Sequence, residues 1–333
     1  MAAPILEIEN LRTHFHLKAG TLKAVDGLSL TLEEGKVLCI VGESGSGKSV
    51  TALSIMGLVT PPGRVEDGRI AFRGTDLLTL SEKEMRKIRG NNIGMIFQDP
   101  MHALNPAFRI GDQIAETMLE HLDIGKDEAK ERAIELLGHV GIAQPDRRYV
   151  DYPHQFSGGM RQRVMIASAI ACHPDLLIAD EPTTALDVTI QAQILNLLSA
   201  LRAELRSAMI LITHDLGVVA EMADDVMVMY AGQPVEYGDV ETVFHRPQHP
   251  YTRGLLNSLI RLSDDRETQL KPIPGTPPDV LDMPEGCRFR ARCDYAVERC
   301  ENEAPALRTG PDGHPVACHH VDEAHGLPQG VAP

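Results

Sequence analysis

Eight residues, Gly42 to Ser49 (GESGSGKS), have the types and spacing needed to hold a chain of phosphates. Gly42, Gly45 and Gly47 let the backbone curl around an anion, with Ser44 and Ser46 in the same cradle, so that several N–H groups point at one phosphate. The helix that begins behind them adds the positive end of its dipole. Lys48 supplies a point charge for β- and γ-phosphates, and Ser49 a hydroxyl for Mg²⁺. A glycine-rich turn can fit GxxxxGK[ST] by accident. Here an apolar run, Val37 to Val41, precedes it and a helical pattern follows, which reads as strand, phosphate loop, helix.

Further segments set polar groups at the ends of apolar runs. LLIADE (176–181) delivers Asp180 for the Mg²⁺ shell and Glu181 to align and polarise a water attacking a γ-phosphate. IGMIFQDP ends its apolar run at Gln98, whose amide can reach Mg²⁺ or that water, because ligands lie at the carboxyl ends of parallel strands. MILITHD is a buried strand ending at His214, placed to hydrogen-bond a γ-phosphate, and TTALD sets Asp187 where it orders the water or a partner interface. FSGGM (156–160) puts Ser157, Gly158 and Gly159 before the helical run RQRVMIASAIA, a second anion-binding helix start. One chain has no evident use for two such starts with one lysine-bearing loop. Two chains packed head to tail do, each capping the other's nucleotide. Phe15 is either a ring for stacking on a purine or a core or turn side chain. Taken singly, these segments are ordinary strand ends and helix caps; the chemistry lies in their sum.

A different chemistry gathers near the C-terminus. Of six cysteines, Cys39 and Cys172 lie in apolar segments, whereas Cys287, Cys293, Cys300 and Cys318 follow one another as Cx5Cx6Cx17C. Four thiolates are enough to enclose one metal centre, either Zn²⁺ or an iron–sulfur cluster. The CxxC pairs of most structural zinc sites do not occur here, and unligated thiols are the third reading. Arg288, Arg290 and Arg292 are placed to offset the charge of a thiolate-bound centre, and His314, His319 and His320 are substitute ligands or solvated tail residues.

The elements that must position these groups follow from patterning. Residues 5–9 and 25–32 alternate apolar and polar, as half-buried antiparallel strands do. TPPGRVEDGRI reads as a turn-rich link, IAFRG as a strand, and 81–90 as a surface helix. From about 100 to 165 the apolar positions repeat every three or four residues, a helical insertion. At 333 residues the chain has room for about two domains. No run approaches the roughly 18 apolar residues that cross a bilayer, and MAAPILEIENL is no export signal, so the expectation is a chain that neither spans a membrane nor is exported by that route. A net charge of −15 argues against non-specific nucleic-acid binding.

The order GESGSGKS, Gln98, FSGGM, LLIADE, ALD at 185–187, His214 resembles the nucleotide-binding subunit of an ATP-binding cassette (ABC) transporter over about residues 4–245. The HPYT at 249–252, the proline-rich linker after it and the four cysteines resemble the C-terminal extension of dipeptide and oligopeptide importer ATPases, with nickel importers as relatives. The resemblance implies an α/β P-loop NTPase fold with an antiparallel β subdomain, a helical subdomain and a Cys-rich extension, divided as 1–245 and 246–333. It implies a pair of cassettes, probable as a heterodimer, closing over two ATP molecules with Mg²⁺, and Phe15 stacked on adenine. Partners are a second ATPase subunit, two transmembrane permeases and an extracytoplasmic peptide-binding protein, with the chain on the cytoplasmic face of a bacterial inner membrane. Relatives with four cysteines here carry a [4Fe–4S] cluster, which favours that centre over zinc. Met160 departs from the family's Gln. The rival expectations are a nickel or other small-solute ATPase, a nucleotide-dependent module reporting iron or redox status, and a soluble cassette of repair or translation.

Overall fold

The computed structural model describes residues 4–184, 186–258, 272–310 and 313–322. Its frame is an eight-stranded sheet built on strands β3 (Val37–Val41), β6 (Ile93–Ile96), β7 (Leu176–Asp180), β8 (Ala208–Ile212), β9 (Asp225–Tyr230), β10 (Gln233–Asp239), β11 (Arg308–Thr309) and β12 (Pro315–Val316). The order across the sheet is β11-β12-β10-β9-β3-β8-β7-β6. The run from β9 to β6 is parallel. The strands at its centre, VLCIV, LLIAD and AMILI, are buried at every position because both faces are covered.

Alternation within β3 divides the core. Val37, Cys39 and Val41 pack toward the helical side with Leu177, Leu211 and the Gly158–Ile170 helix. Leu38 and Ile40 face the second sheet, β2-β1-β4-β5, made of β1 (Pro4–Leu17), β2 (Gly20–Glu33), β4 (Gly63–Phe72) and β5 (Thr75–Asp76).

That second sheet is larger than alternation suggests. β1 and β2 each run 14 residues, so Phe15 sits inside a strand, and the expected link at 60–70 is mostly the start of β4. Register shifts in β1 at Ile8/Leu11 and Thr13/His14 break the period of two, which hides the strand from a pattern reading. The helical region matches its pattern more closely. Ile110, Ile114 and Met118 of the Ile110–His121 helix are buried at four-residue spacing, as are Ala129, Ala133 and Leu137 of the Lys126–His139 helix.

The C-terminal segment is stitched to the frame. Its two-residue strands β11 and β12 extend the large sheet through Val316 opposite Glu236. Tyr251 is fully buried, and its ring packs 4.7 Å from that of Tyr230 and 5.5 Å from that of Phe289. Among the described residues no helix is long and apolar enough to cross a membrane.

Candidate nucleotide site

Parallel register collects the chemistry on one edge. Ile40 pairs with Ile212, and Ile212 with Asp180, so β3, β7 and β8 end level and hand the chain to Gly42, Glu181 and Thr213 on the same rim.

The loop after β3 is clamped between two backbones. Gly42 (φ 151°) and Gly47 (φ 101°) adopt conformations that side chains rarely take; a Cβ at Gly42 would sit 2.2 Å from the Met229 carbonyl oxygen, and one at Gly47 2.2 Å from that of Ala24. The Gly232 N–H donates to the Ser46 carbonyl at 3.0 Å, tying the loop to the turn beyond β9. Ser46 Oγ is buried and has no hydrogen-bond partner among the described residues. Lys48, first residue of the Lys48–Ile55 helix, is buried with Nζ donating to the carbonyls of Gly42 (2.8 Å) and Glu43 (3.0 Å). Burial pulls its pKa down, against the carboxylates of Glu181, Asp180 and Glu43.

Two carboxylates face this lysine in different settings. Asp180 is buried and accepts from Ser49 Oγ at 2.9 Å; burial raises its pKa, and the serine and Lys48 oppose that. Glu181 is 15% exposed and held in the left-handed region (φ 44°), an uncommon place for a residue other than glycine, with its N–H donating to the Ile212 carbonyl at 2.9 Å. Its Oε2 accepts from Gln98 Nε2 at 3.1 Å and from Thr184 Oγ1 at 2.8 Å, and His214 Nδ1 lies 3.6 Å away. Residues from beyond three strand ends therefore meet at one carboxylate oxygen. Thr184 is absent from the sequence expectations, although the TTALD run that holds it was in view.

The remaining expected site residues lie apart from this cluster. Phe15 is half-buried with its ring pressed on Gly63, where a Cβ would come within 2.5 Å of it. Ser157 caps the Gly158–Ile170 helix, its Oγ accepting from the Met160 N–H at 3.4 Å, and Ser157 and Gly158 are exposed. The Asp187 carboxylate accepts from the Ile190 N–H at 2.9 Å and caps the Val188–Leu205 helix.

The cysteine segment gathers its thiols in one place. Cys287, Cys293, Cys300 and Cys318 line one pocket together with His319 and His320, and none is in a disulfide. Among the described residues, however, no group of three or more His, Cys, Asp and Glu side chains is arranged to hold a metal ion. Arg288 and Arg292 serve other partners than thiolates, whereas Arg290 lines the cysteine pocket, where its charge favours the Cys287 thiolate. Arg288 forms a buried ion pair with Asp26, Arg290 donates to the Glu301 carbonyl at 2.8 Å, and Arg292 pairs with Glu43 of the phosphate loop. The histidines are likewise engaged: His314 with Glu236 (2.8 Å), His319 with the Glu303 carbonyl (2.9 Å) and His320 with the Tyr295 carbonyl (2.6 Å).

Comparison with known proteins agrees with this geometry. Residues 25–184 match the ABC transporter family, and residues 235–300 the C-terminal region of oligopeptide/dipeptide transporters. The dipeptide transport ATP-binding protein DppD of Bacillus subtilis is 52% identical over 320 residues, covering 96% of this chain and 95% of that protein. DppD of Escherichia coli is 51% identical over 324 residues (97% and 99%). The oligopeptide transport ATP-binding protein OppD of Bacillus subtilis is 52% identical over 313 residues (94% and 87%). Among solved structures, the ATP-binding cassette MJ0796, described as a dimer in a post-hydrolysis state bound to ADP and Pi, matches at a TM-score of 0.64 and 26% identity, over 71% of this chain and 98% of that one. The fold and rim are those of an ABC ATPase. Within that class the chain belongs to the family of dipeptide and oligopeptide transport ATP-binding proteins.

The clamped loop makes a direct prediction. Gly47→Ala drives a methyl group into the Ala24 carbonyl and strains a left-handed backbone, and a strain of about 1–3 kcal/mol is roughly a fivefold to 150-fold loss of affinity. Titration with a fluorescent ATP analogue reads it; affinity within twofold of the parent chain contradicts the clamp.

Proposed function

We propose that this chain hydrolyses ATP on its 37–49 and 176–184 rim to drive import of dipeptides or oligopeptides through a membrane complex. The observation that carries this reading is the convergence of Gln98, Thr184 and His214 on Glu181 beside the Ser49–Asp180 pair.

In this reading Gly42, Ser44, Gly45, Ser46 and Gly47 wrap the phosphates and Lys48 moves from loop carbonyls to phosphate oxygens. The orphaned Ser46 hydroxyl and the pairing of Ser49 with Asp180 fit an anion and a hard cation in the same place. Mg²⁺ there, held by Ser49 and Asp180 with Gln98 nearby, would supply charge neutralisation for the γ-phosphoryl group. Glu181, oriented by Gln98 and Thr184, accepts a hydrogen bond from the attacking water and aligns it; His214, 68% exposed, reaches the γ-phosphate from the open side. Phe15 stacks on the adenine. Most of the rate comes from positioning and charge, since phosphoryl transfer asks little covalent chemistry of the protein.

Exposed Ser157 and Gly158, with Gly159, would cap the nucleotide of a second cassette, with Asp187 beside the junction. The second cassette is read as a different chain, and the pair as seated on two permeases at the cytoplasmic face of a bacterial inner membrane, fed by an extracytoplasmic peptide-binding protein. Residues 1–245, with a helical subdomain near 100–165, would form the motor and 246–333 the extension.

The extension is read as holding a [4Fe–4S] cluster on Cys287, Cys293, Cys300 and Cys318. Its fit rests on four sulfurs lining one pocket, with nearby backbone N–H groups that favour the thiolates of Cys287, Cys293 and Cys318. Burial pushes the Cys293 and Cys318 thiols up to about 11 and about 12, so thiolate there needs a strong positive centre. A single Zn²⁺ with Zn–S near 2.3 Å draws four sulfurs to within about 4 Å of one another. The four sulfurs line one pocket, and Zn²⁺ is the alternative centre for them.

Two measurements check these readings. Glu181→Gln keeps ATP binding, loses at least about tenfold in turnover and forms a MgATP-dependent cassette pair by size-exclusion chromatography; unchanged turnover removes Glu181 from its role. Chain purified without oxygen absorbs visible light and carries about four irons with matching sulfide; a colourless zinc protein contradicts the cluster.

A further inference from the structure

The C-terminal extension reaches into the phosphate loop. Arg292 lies in the short turn between Cys287 and Cys293, and its buried guanidinium spans both oxygens of Glu43, the second residue of GESGSGKS, at 2.8 and 3.0 Å. A planar fork against a carboxylate is a directional clamp as well as a charge pair. The fork is itself fixed, because Nε donates to the Pro274 carbonyl at 2.9 Å and the group lies 5.7 Å from the centre of the Tyr230 ring. Glu43 is gripped at its backbone too: its N–H donates to Tyr251 Oη at 2.9 Å. The Glu43 carbonyl in turn accepts from Lys48 Nζ. An unbroken line of contacts thus runs from the cysteine segment through Arg292 and Glu43 to the phosphate-binding lysine.

We propose that Arg292 is a positioning residue for the nucleotide, through which the C-terminal extension sets the ATP affinity of the cassette. Glu43 places a carboxylate in a loop built for a triphosphate, where it repels the ligand and competes for Lys48, whose charge it already feels. Arg292 neutralises that carboxylate and turns it away, leaving Lys48 to the phosphates. Any rearrangement of the turn that carries Cys287 and Cys293 moves Arg292 with it. This proposal rests on the reading that residues 42–49 bind ATP.

The test is a double-mutant cycle on the full-length chain, read by titration with trinitrophenyl-ATP in Mg²⁺ and by steady-state ATPase. Arg292→Ala is expected to weaken binding about tenfold and to raise KM while kcat stays within about twofold, because Arg292 touches neither the water nor the γ-phosphate. Adding Glu43→Gln to Arg292→Ala is expected to restore binding, since the harmful charge is gone. Arg292→Lys, which keeps the charge and loses the fork, serves should the alanine variant be poorly folded; a weakening of about threefold, cured by Glu43→Gln, is expected. Binding unchanged in both Arg292 variants, or a loss that Glu43→Gln does not cure, overturns the proposal. The site reading fails separately, if the parent chain binds no more nucleotide than Lys48→Ala.

Discussion

The nucleotide rim depends on one constraint, the level parallel register of β3, β7 and β8. Hydrogen bonding of Ile40, Ile212 and Asp180 across adjacent strands fixes where each chain leaves the sheet, and the three exits carry the loop, the carboxylate pair and the segment with His214. A one-residue slip would turn each strand's apolar set inside out and move Asp180 off Ser49. Because these strands are apolar throughout and buried on both faces, such a slip would press side chains fitted to one core into the other. Catalytic geometry is therefore held by hydrophobic burial some distance from the chemistry.

Against that rigid edge, the loop itself is held by polar and backbone contacts from three directions. Ala24 of β2 and Met229 of β9 press on its glycines, the turn at Gly232 ties down Ser46, and Tyr251 and Arg292 hold Glu43. The extension is thus a wall of the nucleotide site as well as a carrier of cysteines. Its second anchor, the Arg288–Asp26 pair, is nearly desolvated on both sides. Removing one partner of such a pair leaves an uncompensated buried charge, which is costly even where the intact pair adds little net stability.

How much of this was legible in the sequence depended on how local each signal was. The phosphate loop, LLIADE and MILITHD announce themselves because glycines, acid pair and apolar run are contiguous, and the structure makes each the element expected. The long hairpin of β1 and β2 was read only in part, since register shifts interrupt its alternation. Gln98, two residues beyond β6, meets Glu181 through pairing of β6 with β7, a tertiary fact that no spacing carries. The arginines of the cysteine segment were assigned to thiolates because those were their neighbours along the chain. Arg292 instead finds Glu43 across 249 positions, and Tyr251 finds it across 208. Those contacts exist only because β9 and the aromatic cluster bring the chain's end under the loop.

In the proposed assembly one half of each nucleotide's surroundings belongs to another molecule. Loop, Ser49–Asp180 pair and Glu181 sit together on one rim, while Ser157 and Gly158 stand exposed on a separate helix start. The measurement that bears on this most directly is a structure of the assembled complex with a non-hydrolysable ATP analogue. The account predicts the triphosphate between residues 42–49 of one cassette and the serine-glycine turn of its partner, with Glu181 facing the γ-phosphate. A bound analogue whose γ-phosphate lies away from every such turn would contradict it.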